Sequence, residues 1–405
     1  MKKLPEGWVD LQLGDICEFT QGVQIPFSEQ IQEYQEGYIR YLYIRDFFSD
    51  KDKCYIKDIY PHKIMKKEDI MIVNTGNTAG SVYSGAEGVL SNNAFKLTFN
   101  NNILNRDYLY QFLKSYIFDN YIKRLFNSAG QPHVGHKNVA LVPVQLPPLE
   151  EQKKIAEILS TVDQKITFVD NQIEETELLK KGLMQKLLTE GIGHDSFKDS
   201  EIGKIPENWE VCKLEDITEV VTKGTTPTTL GYQYEKNGIN FIKVESIDNN
   251  GNFDKNLFAH ISKEANTALK RSIILENDIL YSIAGALGRV AVANNSILPA
   301  NTNQALAIIR LKDKSNVSYI YFYLNSPYIK KYIDKVNVQN AQANLSLQNI
   351  KKFKIAIPPI EEQKKIAEIL STADEKLENL KSKKESFEEL KKGLMQKLLT
   401  GEVRV

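Results

Sequence analysis

The sequence is poor in the residues that carry covalent or metal chemistry. Its 405 residues hold only three cysteines, Cys17, Cys54 and Cys212, with no CxxC pair. Scattered and odd in number, they argue against a disulfide framework or a zinc knuckle and read as free structural thiols. Of five histidines, the one close pair, His133 and His136, has no third ligand near it in sequence and reads as loop residues rather than a metal site. There is no GxxxxGK[ST] phosphate loop and no GxGxxG after a strand. Leu146-Pro147-Pro148-Leu149 lacks the polar first and aromatic last residue of the amino-methyltransferase motif, so it reads as a strand-to-helix turn. No apolar run approaches the roughly 20 residues that span a bilayer. The opening Met-Lys-Lys-Leu-Pro-Glu-Gly-Trp has no apolar signal core, so a cytoplasmic location is expected.

Net charge is also missing: 52 basic side chains balance 52 acidic ones. That figure averages unlike regions. Residues 1–146 are balanced at 16 and 16, whereas 201–357 carry 19 basic against 15 acidic, a net +4. Residues 150–192 carry 6 against 9, a net −3, and 361–405 carry 10 of each. A surface for a polyanion must therefore arise from local clusters of Lys and Arg, which the total does not report. The rest of the composition, 42% apolar and 26% charged, is that of a globular protein with room for two or three cores.

What the chain does have is itself, twice. Residues 147–161 read PPLEEQKKIAEILST and residues 358–372 read PPIEEQKKIAEILST. LKKGLMQKLLT stands at both 179–189 and 390–400. All of these copies lie 211 positions apart. A weaker echo opens each half, LPEGW at 4–8 and IPENW at 205–209. Between these markers the halves diverge, keeping only a turn-rich stretch (69–82 and 278–290), an Asn-rich strand entry (Asn92-Asn93 and Asn303-Gln304) and an aromatic helix (105–126 and 316–336). In those helices Tyr108/Tyr319, Phe112/Tyr323 and Leu113/Leu324 fall on one face and are expected to pack in a core.

The repeated stretches read as long helices. Pro148 and Pro359 suit a helix start, and Glu150, Glu151, Glu361 and Glu362 follow where carboxylates oppose the positive helix end. A seam with alternating steps of four and three then runs through Ile155, Leu159, Val162, Ile166, Val169, Ile173, Thr176, Lys180, Leu183 and Leu187. The second copy matches with Ile366, Leu370, Ala373, Leu377, Leu380, Lys384, Phe387, Lys391, Leu394 and Leu398, its two lysines weakening the middle. Each helix could run about 40 residues, or about 60 Å. An apolar stripe of that length needs a partner, and antiparallel pairing within the chain is the economical one. The expected fold is α+β: two α/β domains separated by two long antiparallel coiled-coil helices in an internal pseudo-twofold repeat. A dimerisation coiled coil is the plainer alternative. Gly191, Gly193 and the polar run 194–200 read as a linker, and Gly401 ends the second helix.

Together these elements resemble the specificity subunits of type I restriction–modification systems over nearly the whole chain. The resemblance is carried by the two Pro-Pro-Leu/Ile-Glu-Glu-Gln stretches, the paired LKKGLMQKLLT ends and the LPEGW and IPENW openings, and by SAGQPHVGHKNV and QNAQANLSLQNI ahead of each proline pair. It implies a target-recognition domain over 1–146, a conserved spacer helix over 147–192, a linker over 193–204, a second target-recognition domain over 205–357 and a second spacer helix over 358–405. It implies a non-catalytic subunit that reads a bipartite site on double-stranded DNA, with two methyltransferase subunits docked pseudosymmetrically and restriction/translocase subunits in the full complex. S-adenosylmethionine, ATP and magnesium would then sit on those partners, none on this chain.

Reading bases calls for Asn, Gln, Arg, Lys, Ser or Thr on loops that enter a groove, and holding the backbone calls for cations and amides. The candidates in the first domain are Gln21, Arg40, Arg45, Asn74, Thr75, Asn77, Ser81, Gln131 and His133. In the second they are Lys223, Thr225, Thr226, Lys243, Ser282, Arg289, Gln339, Gln342 and Asn344. Gly76, Gly80, Gly285 and Gly288 suit tight turns, with close backbone approach to phosphate as the alternative. The competing function is a coiled-coil adaptor whose globular domains bind proteins.

Overall fold

Why should a chain keep two 15-residue stretches almost unchanged? The computed structural model, which describes residues 4–49, 51–125, 132–338 and 344–405, answers in terms of packing. Two compact units form, one from residues 1–171 with 381–405, the other from 172–380. Each contains a sheet-rich body and a pair of helical segments.

In the first unit the principal sheet runs in the order Cys17–Gln21, Ala94–Phe99, Ile70–Val73, Val82–Tyr83, all antiparallel. A second four-stranded sheet runs Cys54–Lys57, Tyr38–Leu42, Gly88–Leu90, Ile64–Met65, with its central pair parallel. The second unit repeats both orders: Thr218–Lys223, Leu306–Leu311, Ile279–Ser282, Val290–Val292, then Ala259–Ile261, Ile239–Ile242, Ala300–Thr302, Ile273–Ile274. In each unit a short strand after the tryptophan pairs with the strand that leads into a long helix: Val9–Gln12 with Pro143–Leu146, and Glu210–Lys213 with Lys354–Ile357. The divergent domains are thus one fold carrying two sequences.

The aromatic helices are broken in two. Leu113 ends one helix, and Ser115 starts Tyr116–Arg124 by accepting from Phe118 N at 3.4 Å. In the second unit Val317–Leu324 and Pro327–Val338 flank Ser326. Tyr108, Phe112, Leu113, Tyr319, Tyr323 and Leu324 are all buried, as their spacing requires. The expected linker is a β-hairpin, Phe197–Ser200 with Gly203–Pro206, because Gly203 at φ +108° turns the chain back on itself. The three thiols are free; Cys17 and Cys54 are buried, and burial pushes the Cys17 thiol up to about 12, which leaves it inert.

The long helices span Leu149–Leu187 and Ile360–Leu398. Gln152 and Gln363 in their first turns reach back to Pro147 O and Pro358 O at 2.9 and 2.8 Å. Along the seam Ile155, Leu159, Val162 and Val169 in the first unit, and Ile366, Leu370, Ala373, Leu377 and Leu380 in the second, are buried, while Ile166, Ile173, Leu183, Phe387 and Leu394 are half-buried. Direction follows from ion pairs. In the first unit Lys391 meets Asp163 at 2.6 Å and Lys384 meets Asp170 at 2.8 Å, so the number rises by seven on one helix as it falls by seven on the other. The segments are antiparallel. In the second unit Lys180 pairs with Asp374, the same contact seen from the other copy. The seam lysines therefore do not weaken the interface as expected; each carries its own aspartate.

The helix ends meet the opening motif of each half. In the first unit Trp8 is buried and its Nε1 donates to Glu151 Oε2 at 3.1 Å, while Arg404 holds the same carboxylate at 2.8 and 3.0 Å. In the second, Trp209 Nε1 donates to Glu362 at 3.1 Å, His194 Nε2 lies 2.7 Å from that carboxylate and Ile192 N donates to it at 2.9 Å. Gly401 and Gly191, at φ +64° and +68°, pass so close to Trp8 and Trp209 that a Cβ would collide with Pro5 in one unit and with Trp209 and Glu362 in the other. Burial alone would raise the Glu151 pKa, but hydrogen bonds from Arg404 and Trp8 outweigh it and hold the carboxyl below its usual range.

Asp163 also accepts from Gln111 Nε2 at 2.7 Å, and Gln111 is buried. Asp163→Leu strands Lys391 and Gln111 and should lower unfolding stability by about 1–2 kcal/mol, whereas Asp163→Leu with Lys391→Leu and Gln111→Leu should recover most of it in urea titrations. Arg404→Met should lower the urea midpoint at pH 7. A depressed carboxyl pKa gives stability that is present at neutral pH and lost as the group protonates, so the gap between wild type and variant should close as pH falls through the carboxylate range.

Candidate nucleic-acid interface

One end of each principal sheet gathers the loops that carry most of the predicted polar residues. In the first unit the strand Cys17–Gln21 ends, Ala94–Phe99 begins and Ile70–Val73 ends at the same edge, since Gln21 pairs with Phe95 and Val73 with Ala94. The loops 21–25, 74–81 and 91–93 therefore lie together. His133 joins them through a bridge to Thr75, with Val134 N donating to Asn74 O at 2.7 Å. In the second unit Lys223 pairs with Ala307 and Ser282 with Leu306, and Asn344 bridges Ala284 as His133 bridges Thr75.

The first cluster is a connected polar network. Gln21 Nε2 donates to Asn92 O at 2.5 Å, and Asn74 Nδ2 donates to the same oxygen at 3.1 Å. Thr75 Oγ1 donates to Asn74 Oδ1 at 3.0 Å and lies 3.0 Å from His133 Nδ1. Asn92 Nδ2 reaches Gln24 Oε1 at 3.4 Å. Asn74 is buried and holds the loops, whereas Gln24, Asn77, Asn92, Asn93 and His133 face solvent. The second cluster uses other chemistry at matched places. Thr226 Oγ1 donates to Gln304 Oε1 at 2.5 Å and Arg271 Nη2 to Thr225 Oγ1 at 3.1 Å, and Lys223, Gln304 and Asn344 are exposed. A fixed frame with variable, exposed amides and hydroxyls is a layout for reading donors and acceptors rather than for moving a proton.

Several predicted residues are spent elsewhere. Arg289 donates to Asn249 Oδ1 at 3.0 Å, Ile247 O at 2.7 Å and Val244 O at 3.3 Å, so it staples a loop. Ser282 is fully buried; its hydroxyl donates to Ala286 O and accepts from Arg289 N, closing the turn. Arg40 pairs with the buried Asp46 at 3.0 Å. Arg45 is exposed, its guanidinium 4.9 Å from the Tyr43 ring and bonded to Asp52 O. Lys243 lies over Tyr234 at 4.7 Å beside Glu245. Asn77 and Ser81 share the Thr75 loop. Gln131, Gln339 and Gln342 lie outside the described residues. Among the described residues no group of three or more His, Cys, Asp or Glu side chains is placed to hold a metal.

The same sheet ends also hold Gln24, Asn92, Gln304 and Arg271, which the sequence-based candidates leave out, together with Gly22 and Gly224. Gly22 N donates to Ala94 O and Gly224 N to Asn303 O. A Cβ on Gly22 would run into the carbonyl oxygens of Ser91 and Leu90, and one on Gly224 into those of Thr302 and Asn303. Both follow the last residue of the first sheet strand, a position that comparing the two halves could have flagged. Gly22→Ala and Gly224→Ala should each displace one cluster and cut DNA affinity about ten-fold or more. Gly182→Ala, which meets nothing within 4 Å, should leave binding unchanged in the same gel-shift titration.

The chain has relatives among known proteins. A family profile described as the type I restriction modification DNA specificity domain matches residues 5–178 and again 206–389. The chain is 32% identical to the type I restriction enzyme MjaVIII specificity subunit of Methanocaldococcus jannaschii, over 100% of this chain and 94% of that protein. It is 25% identical to the EcoBI specificity subunit of Escherichia coli over 89% of this chain and 78% of that one. A solved chain from work on complex assembly and conformational transition of the type I R-M system aligns over 100% of both chains with TM-score 0.62 at 18% identity. The S subunit from M. genitalium aligns over 98% of both with TM-score 0.60 at 16% identity. At those identities the structures speak to a shared fold.

Proposed function

This chain belongs to the family of type I restriction–modification DNA specificity subunits, and we propose that its two sheet-rich bodies each read one half of a bipartite site on double-stranded DNA. It is a DNA-specificity subunit by family, and a coiled-coil adaptor for proteins is not favoured. The observation that carries the two-half reading is the repeated polar sheet end: one frame, Asn92 and His133 on one copy, Gln304 and Asn344 on the other.

In this reading the chain does no chemistry itself. It recruits two methyltransferase subunits, one to each copy of the repeated helical stretches, and restriction/translocase subunits join the full complex. S-adenosylmethionine, ATP and magnesium belong to those partners. The spacing between half-sites follows the length of the long helices. The complex works in the cytoplasm, where its DNA is. No described helix is long and apolar enough to cross a membrane.

Replacing residues 201–357 with the matching segment of a relative, and mapping methylated adenines in cells that also express the methyltransferase, tests the division. One half-site should change and the other persist. Alteration of both halves, or a continuous target, would sink the reading.

A further inference from the structure

Each body exposes several large apolar side chains, and in each one of them stands on the loop that continues from the polar sheet end. In the first unit it is Phe27, 85% exposed; in the second it is Leu230, 51% exposed. Both sit on the 3-10 turn that follows the first strand of the principal sheet, Phe27–Glu29 after Cys17–Gln21 and Pro227–Leu230 after Thr218–Lys223. The residue types differ, as do those of the adjoining polar clusters; Phe27 opens its turn and Leu230 closes its own, so the shared feature is the turn itself.

The loops that carry these side chains are fixed. Tyr41 Oη donates to Val23 O at 2.6 Å, Gln30 Nε2 to Ile25 O at 2.9 Å and Tyr43 Oη to Gln30 Oε1 at 2.9 Å. In the second unit Thr229 Oγ1 donates to Thr226 O at 2.6 Å, Pro227 is buried, and Gly231 at φ +83° ends the turn. A cation is tied to each loop by the 3-10 turn before the short edge strand. Lys63 Nζ donates to Gln21 O at 2.8 Å and Arg271 Nη2 to Thr225 Oγ1 at 3.1 Å. A rigid loop that ends in an exposed phenyl or isobutyl group, with polar readers before it and a cation beside it, has the three components of a base contact. In such a contact a cation takes phosphate, polar groups take base edges, and an apolar tip takes a thymine methyl or a base step.

We propose that Phe27 and Leu230 are apolar base-contacting residues, one for each half-site, that set sequence preference beside the polar clusters of their own units. The proposal rests on the bipartite DNA reading above. Preordered loops keep the ordering cost of such a contact low.

The test uses the full chain in complex with its methyltransferase and a pool of randomised duplexes. Phe27→Ala should relax preference at one or two adjacent base pairs of one half-site, and Leu230→Ala should do the same in the other half-site. Affinity for the wild-type consensus should fall about ten-fold in each case. The slope of log affinity against log salt should stay unchanged, because no phosphate contact is lost. Phe27→Tyr and Leu230→Met should keep the wild-type preference. Unaltered preference in both alanine variants overturns the proposal. So does weaker assembly with the methyltransferase at unchanged preference, which would make these tips protein contacts. A wild-type complex that selects no bipartite sequence would instead defeat the reading on which the proposal depends.

Discussion

The arrangement depends on a carboxylate that has no business being buried. Glu151 and its copy Glu362 stand in the first turn of a long helix, where the helix end favours negative charge, but Glu151 is 5% exposed and Glu362 nearly as enclosed. An ion taken from water costs several kcal/mol unless partners replace the lost solvation. The partners come from the other conserved motifs: the indole of Trp8 or Trp209, and Arg404 or His194 from the segment that follows the opposite copy's helix. Each repeated motif is therefore held constant by the others. Tryptophan needs the glycine beneath it, the glutamate needs the tryptophan, and the cation needs the glutamate. A substitution at one leaves the rest unsatisfied, which is a sufficient physical reason for two stretches 211 positions apart to stay nearly the same.

The helical segments show the same logic in milder form. A seam of apolar residues gives adhesion but allows slippage, since any shift by a heptad still buries something. Lys391–Asp163 and Lys384–Asp170 in one unit, and Lys180–Asp374 in the other, penalise every other register by leaving a charge half-buried and alone. Such pairs add little net stability next to leucine; what they add is one alignment.

Much of this is legible in the sequence, and the boundary of legibility has a physical cause. The duplication, the long helices and the buried aromatic faces follow from periodicity, which is local. The lysines read as weak points because heptad position says which side a residue faces and nothing about what waits there. Ser282 and Arg289 look like base readers because polar residues in a turn-rich stretch look alike, whether they face solvent or close the turn. Gln24 escapes notice for the opposite reason: it belongs to no motif, and its partner Asn92, legible only as part of an Asn-rich strand entry, lies 68 positions away. The linker proves to be a hairpin because one glycine, Gly203, reverses a polar segment that carries no hydrophobic alternation to announce a strand.

Constancy and difference are distributed by what each residue touches. Trp8, Glu151, Gly401 and Asp163 bind partners within the chain and have counterparts in Trp209, Glu362, Gly191 and Asp374. Residues at the sheet ends touch few neighbours that would object to a change. Asn93 in one copy can be answered by Gln304 in the other because the frame beneath does not depend on either side chain: the strand pairing at Val73 and Ala94 is backbone to backbone, and so is that at Ser282 and Leu306. Backbone pairing is blind to side chains. A fold whose recognition edge is held by main-chain bonds, with a glycine at the tightest approach, can vary what it reads without renegotiating how it stands.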